Sequence, residues 1–218
     1  MDYDYDVVIV GAGPVGGYAS RLLCERGLSV LMIEEHTEIG RPFQCAGLVT
    51  PSAMHAVEAY GTVVQDVDGA LIHGPSGTLV PVGKDGDLRT YVVCRKRFDQ
   101  EVVQQGLKAG ADIVLESQPT DAVIHPDGVL VTIKNQRTNI ERQVSCKLFI
   151  GCDGAHSWVR RKFKMGHPKE MMIGFQTEVV GYEGKNRGLE MYSGSEIAPG
   201  FVAWVIPSGN DPHRIGLG

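Results

Sequence analysis

Asp6-Val7-Val8-Ile9-Val10 runs directly into Gly11-Ala12-Gly13-Pro14-Val15-Gly16-Gly17. Its four consecutive apolar residues predict a short strand buried on both faces, as parallel sheets contain. The residues from Tyr18 to Arg26 predict a helix. Strand, G-x-G-x-x-G and helix in that order form the setting in which a glycine fingerprint signals a dinucleotide site instead of an ordinary turn. Gly11 permits the tight turn, Gly13 lets a pyrophosphate approach bare backbone, and Gly16 lets helix and strand pack closely. Pro14 fits the first helical turn, where a missing N–H leaves no bond unmade. The free N–H groups and positive end of the helix suit an anion.

The residues that follow extend the pattern. Gly27 stands where a glycine closes a helix, and Leu28 to Ile33 predict a second apolar strand ending at Glu34. A carboxylate about twenty residues beyond the glycines accepts hydrogen bonds from both ribose hydroxyls and repels a 2′-phosphate. The expected ligand is therefore FAD or NAD and not NADP. After Glu34 and Glu35 the chain enters a loop rich in Gly, Pro and Cys, His36 to Pro51, where an NAD-binding domain would place a helix and a third strand. A loop at the carboxyl end of a sheet is where the reactive end of an extended ligand lies, which favours FAD. Cys45 within it reads either as a packed thiol or as a site residue.

Composition sets outer limits. The 218 residues include 28 glycines and are 43% hydrophobic, which is ordinary for an α/β chain of one to one and a half domains. A net charge of −5 argues against a nucleic-acid partner, which calls for a basic face. No apolar run approaches the roughly 18 residues of a membrane span, and the acidic start Met1 to Asp6 does not read as a signal peptide. Five cysteines without a C-x-x-C pair suit a reducing cytoplasm and give no metal pattern.

Further along, Pro51 to Gly61 predicts a short helix with Ala53, Ala56, Val57 and Tyr60 on one side. Strands are expected at 69–74, 78–82 and 90–94, and His73 is assigned no chemistry. Arg95-Lys96-Arg97-Phe98-Asp99 opens a helix that buries Phe98, Val102, Val103 and Leu107 and ends at Gly110. Arg95 reads either as a phosphate contact or as a surface cation, Lys96 and Arg97 as surface. Strands are expected at 111–115, 121–125, 128–133 and 144–150, with Pro126-Asp127-Gly128 as a hairpin turn and a small β-meander beside the βαβ unit. The last of them feeds Asp153-Gly154 at the mouth of the sheet. From Phe163 the strands at 178–180, 188–192 and 200–206 read as an antiparallel sheet that the chain leaves unfinished. The expected organisation is a Rossmann-like domain over 1–162, with inserted strands around 69–94 that belong either to it or to the substrate domain, and an incomplete substrate domain over 163–218.

Several of these motifs together carry a resemblance. G-A-G-P-V-G-G with Glu34, R-x-x-F-D from Arg95, and G-C-D-G-A-H-S-x-V-R-R from Gly151 resemble flavoproteins of the p-hydroxybenzoate hydroxylase type. E-I-G-R-P-F-Q-C-A-G-L-V at 38–49 and E-M-Y-S-G-x-x-x-A-P-G at 190–200, with Trp204 and Pro207, resemble the geranylgeranyl reductase family, in its archaeal digeranylgeranylglycerophospholipid reductase branch. The likeness covers the whole chain and the amino-terminal half or so of such a protein, with a second FAD motif expected beyond residue 218.

The resemblance implies the following. Gly11, Gly13, Pro14, Gly16, Glu34 and Glu35 bind the ADP half of FAD. Arg95 reaches its phosphate or ribose, and Asp153-Gly154 lie near the flavin. Cys45, Ala46 and Gly47 sit beside the isoalloxazine, with Cys45 as proton donor or positioning residue. Trp204, Pro207 and Tyr192 face the substrate. The family reduces isolated C=C bonds of prenyl lipids by flavin hydride transfer, with electrons from an outside donor, NAD(P)H or a ferredoxin-like protein. Location is then cytoplasmic, with peripheral membrane contact. A flavin monooxygenase, or an electron-transfer flavoprotein serving a quinone or protein, are the alternatives. One departure stands out: Val202-Ala203-Trp204-Val205-Ile206-Pro207 has aliphatics where the family reads Tyr-x-Trp-x-Phe-Pro. The reading is of a hydrophobic groove that survives with an altered width.

Overall fold

The computed structural model describes residues 3–43, 45–83, 89–182, 188–209 and 212–218. Met1, Asp2 and Gln44 of the stretches read above lie outside them. The first elements are β1 Tyr5–Val10, α1 Pro14–Cys24, β2 Val30–Ile33, β3 Leu48–Val49, α2 Pro51–Val57 and, after a 3-10 turn at Tyr60–Thr62, β4 Val63–Asp68. There follow β5 Ala70–His73, β6 Leu79–Val82, β7 Arg89–Val93, α3 Arg95–Lys108, β8 Asp112–Val114, β9 Ser117–His125, β10 Gly128–Asn135 and β11 Glu141–Gly151. The last are α4 Trp158–Lys162, β12 Phe175–Val179, β13 Leu189–Ser193, β14 Val202–Pro207 and β15 His213–Leu217. The chain divides into two compact units that interleave along the sequence: 1–43 with 96–167, and 44–95 with 168–218.

The first unit is built on a sheet of order β8-β2-β1-β11-β10-β9. β8, β2, β1 and β11 run parallel, while β11, β10 and β9 form the antiparallel meander. The apolar run of β1 has its physical reason here. Val8 and Val10 pack with Leu31, Val131, Ile133 and Cys146 on one face. Val7 and Ile9 pack with Val30, Met32 and Val103 on the other. With both faces covered, no position from Val7 to Val10 is left for a polar side chain. Each such side chain contributes about 1.5–3 kcal/mol by leaving water. The third parallel strand, absent after β2, is β8, some eighty residues on by sequence number. Gly27 closes α1 as expected: its N–H bonds to the carbonyl of Cys24 (2.9 Å) and that of Leu28 to Leu23 (3.2 Å), with Gly27 at φ 80°.

The second unit holds a sheet of order β12-β15-β14-β13-β5-β6 and a small one of order β3-β7-β4. The larger is antiparallel except where β13 runs parallel to β5. One expectation is corrected, and one strand had not been expected. The buried side of α2 carries Met54 and Val57, whereas Ala53 is exposed, and Tyr60 lies beyond the helix and is 48% exposed. Pro51 begins this helix and Thr50 caps it by accepting from the Ala53 N–H (3.3 Å), a phase that turns the larger Met54 inward. β4 went unread because Asp66 and Asp68 interrupt its valines. Both aspartates are exposed, and Asp66 meets Arg89 of β7 at 2.8 Å. A single valine, Val67, is fully buried there.

Candidate functional site

The glycine turn is closed by its neighbours. The Gly11 N–H donates to the Ile33 carbonyl (2.8 Å), so the end of β1 is tied to the end of β2. Gly11 has φ 92°, and a Cβ there would lie 2.4 Å from the Cys152 carbonyl oxygen. A Cβ on Gly16 would lie 2.0 Å from the carbonyl oxygen of Gly11, so helix and turn touch through bare backbone. Gly13 differs, since nothing lies within 4 Å of where its Cβ would be. Gly13 is also the N-cap of α1, no side chain caps that end, and Pro14 occupies its first turn. An open helix N-terminus facing free space fits a pyrophosphate.

Glu34 is 8% exposed and fixed under this turn. Its Oε2 accepts the Ala12 N–H (2.8 Å), while Oε1 accepts the His36 N–H (3.0 Å) and lies 2.6 Å from His36 Nδ1. A carboxylate has about four acceptor directions. Three are taken, which leaves one on Oε2 for a ligand hydroxyl. Glu35 is exposed. From the far side of the turn comes Asp153, whose Cα lies 3.0 Å from the position of a Gly11 Cβ. Its Oδ2 accepts the Val159 N–H (3.0 Å) at the start of α4, and its Oδ1 is buried without a hydrogen-bond partner. A buried, orphaned carboxylate oxygen beside the glycine turn calls for a donor from a ligand. Gly154 next to it is exposed. Glycine turn, Glu34 and Asp153, widely separated in sequence, thus share one end of one sheet, and the residues fit an FAD.

The second unit gathers the other candidates. Cys45 is exposed, and its Sγ accepts the Gly47 N–H at 3.5 Å. Gly47 has φ 83°, and a Cβ would lie 2.4 Å from Arg214 Nη1 and 2.7 Å from the Val93 carbonyl oxygen. The stem of Arg95 passes alongside, its Cγ 3.5 Å from that same Cβ position. Ala46 and Trp204 pack against one cluster, Val67, Val92 and Ile206. The structure therefore brings the cysteine loop and the tryptophan strand together. The indole of Trp204 crosses Gly216, where a Cβ would lie 2.5 Å from it, and donates to Gln176 Oε1 at 3.0 Å. Pro207 is buried, and so is Ile206, one of the two aliphatics at an aromatic position of the resembled motif. That change alters core packing at 206 and not an open groove wall.

Two features escaped the sequence. Arg214, 3% exposed, sends Nη1 to the carbonyls of Ala46 (2.8 Å) and Val93 (2.9 Å). Its only signal in the sequence was a cation in an otherwise apolar strand pattern. His73 Nε2 lies 2.8 Å from Glu190 Oε2, a carboxylate that also accepts from the Tyr192 hydroxyl (2.8 Å), and the His73 ring stacks on Tyr192 at 4.1 Å. Burial, then the bond to Glu190, holds the Tyr192 phenol well above its usual range. By register, this cluster occupies the face of the larger sheet opposite Met191, Trp204 and Arg214.

A βαβ unit with an open glycine turn, a fixed acid and an orphaned carboxylate defines a dinucleotide-binding flavoprotein. The family described as FAD binding domain matches residues 4–198, most of the chain. The chain belongs to this FAD binding domain family, and FAD is its cofactor. It is 33% identical to a digeranylgeranylglycerophospholipid reductase of Methanosarcina acetivorans, over 98% of this chain and 54% of that protein. The chain spans about half the length of the curated relatives it matches. A geranylgeranyl bacteriochlorophyll reductase-like protein of Thermoplasma acidophilum superposes with a TM-score of 0.82 at 27% identity, covering 97% of this chain and 55% of that one. Aklavinone-11 hydroxylase, solved with FAD and aklavinone, shares the fold (TM-score 0.76, 17% identity, 99% of this chain and 46% of that one).

Proposed function

We propose that the protein is an FAD-dependent reductase of isolated C=C bonds in the prenyl chains of lipids. The observation that carries this reading is that nearly the whole chain aligns, at 31–33% identity, with about half of each of several relatives named digeranylgeranylglycerophospholipid reductases. The site is compatible with that chemistry. Reduced FAD, when bound, supplies a hydride to the alkene. The glycine turn and open end of α1 hold the pyrophosphate, Oε2 of Glu34 takes a ribose hydroxyl, and Oδ1 of Asp153 takes a donor from the cofactor. Arg95 adds a cation for the phosphates. Cys45 carries the proton that the second carbon needs, on Sγ. An isolated alkene offers no carbonyl to polarise, so rate comes from holding the bond in place and excluding water. Trp204 with its packed surroundings serves the apolar chain, whereas Tyr192 lies on the opposite face of that sheet. Electrons come from an external donor, NAD(P)H or a ferredoxin-like protein. A lipid of this kind lies in a bilayer, so the protein meets it by peripheral contact at the membrane surface.

The test is anaerobic. The bound flavin is reduced with dithionite, a lipid bearing geranylgeranyl chains is added, and the visible absorbance of oxidised flavin is followed beside the mass of the lipid. Return of the absorbance with a gain of two hydrogens per double bond is expected. A flavin that stays reduced with the lipid but reoxidises with a quinone would remove the reading.

A further inference from the structure

Arg214 stands outside every motif that pointed to the site. Its guanidinium is nevertheless the link between three parts of the second unit. One nitrogen, Nη1, donates to both the Ala46 carbonyl in the cysteine loop (2.8 Å) and the Val93 carbonyl at the end of β7 (2.9 Å). On its other side Nε forms an ion pair with Glu178 of β12 at 3.5 Å and is buried without a hydrogen-bond partner. Backbone also ties this stretch to β7: the Val93 N–H donates to the Gly47 carbonyl (2.8 Å), and the adjoining Leu48 and Val49 pair with Val92 and Tyr91. Cys45 itself is exposed and bonded weakly, by the Gly47 N–H at 3.5 Å. The place of its thiol is therefore set by what holds Ala46 and Gly47.

We infer that Arg214 is a positioning residue that anchors the Cys45–Ala46–Gly47 loop to β7 and to the face of the sheet carrying Trp204, and so fixes where the Cys45 thiol is presented. The catalytic consequence rests on the proposed prenyl reduction; the anchoring itself does not. A buried cation needs its acceptors, and these two carbonyls need a donor. Gly47 belongs to the same device, because any side chain there would meet both Nη1 and the Val93 carbonyl. The guanidinium meets both carbonyls with one nitrogen, Nη1, while its Nε edge stays 3.5 Å from Glu178. A lysine in its place keeps the charge but has no second edge to hold toward Glu178 while its ammonium meets the carbonyls.

The experiment compares Arg214→Met, Arg214→Lys, Gly47→Ala and the parent protein, each loaded with FAD, for the rate at which iodoacetamide modifies Cys45, read by peptide mass. Arg214→Met and Gly47→Ala are expected to speed that modification about tenfold by freeing the loop, with Arg214→Lys between them and the parent. In prenyl reduction the same variants are expected to lower kcat about tenfold while KM stays within about twofold, because misplacement of a reacting group acts on the chemical step. If Arg214→Met lowers the melting temperature but leaves the Cys45 rate at the parent value, Arg214 is a packing residue and the inference is overturned. Faster modification with an unchanged kcat keeps the anchor and removes Cys45 from the reaction, which separates this failure from that of the proposed function. Should Arg214→Met fail to fold, Arg214→Gln replaces it in the same comparison, and a Cys45 rate at the parent value in that variant overturns the inference.

Discussion

Cys146 and Cys45 carry the same thiol into opposite surroundings. Cys146 is fully buried between the strands of the first unit, and that burial pushes its thiol up to about 11. Only the thiolate attacks an alkylating agent. At about pH 8 iodoacetamide is expected to label exposed Cys45 and to leave Cys146 untouched until the protein unfolds. Peptide mass mapping checks this, and native labelling of Cys146 would contradict the packing of that core. The same shift has a consequence for stability. The folded value lies above the unfolded one of 9.0, so the folded state keeps a proton that the unfolded chain releases. Stability is untouched below pH 9.0 and falls as pH rises toward 11, by about 1.4 kcal/mol per unit. Cys146→Ala removes that slope, at the cost of a small cavity, in denaturant midpoints measured on either side of the window.

At the scale of elements, the junction of β1 and α1 allows two glycines to be told apart. A Cβ at Gly16 meets the Gly11 carbonyl at 2.0 Å, whereas one at Gly13 meets nothing within 4 Å. Gly16→Ala is expected to lose about 1–3 kcal/mol of stability with or without FAD, because strand and helix must separate. Gly13→Ala has a φ of −77° that alanine accepts. It is expected to keep its melting temperature and lose FAD affinity, because the methyl stands in the space a pyrophosphate uses. Thermal unfolding and a flavin fluorescence titration distinguish the two, and equal losses of stability would refute the argument. This junction was legible in the sequence because its parts are local: apolar run, glycines, helix and the closing Gly27 lie within one βαβ unit. β4 was not, because its two aspartates face solvent and hide a strand that is specified by pairing with β7. His73 and Arg214 were illegible for the same kind of reason. The partner of His73, Glu190, is 117 residues away, and Arg214 lies 168 residues from Ala46 and 121 from Val93, so no window of sequence holds either pair. What the sequence could not rank was which cation in an apolar pattern has carbonyls to meet.

At the scale of the whole molecule, the chain enters the second unit at residue 44, leaves it at 95 and re-enters at 168. The first unit is thus made of two segments, 1–43 and 96–167, that share a core on each face of one sheet. The ends to be joined are close. A Cβ on Gly40 would lie 2.8 Å from the Cα of Lys96, and Glu38 pairs with the Lys96 ammonium. Replacing 44–95 by a few glycines and serines, and stopping at 167, leaves β1, β2, β8 and β11 and most of α3 in place. A unit with its own core folds alone when its cut surface is modest. The joined fragment is expected to melt cooperatively and, since Gly11 to Gly16, Glu34 and Asp153 all lie in it, to bind ADP-ribose while failing to hold Cys45 or Trp204. Circular dichroism on heating and a calorimetric titration with ADP-ribose give the answer. A fragment that is folded but does not bind would move the recognition of the cofactor out of the glycine turn. An unfolded fragment would mean that the first unit draws its stability from the second, and the two cores would have to be treated as one.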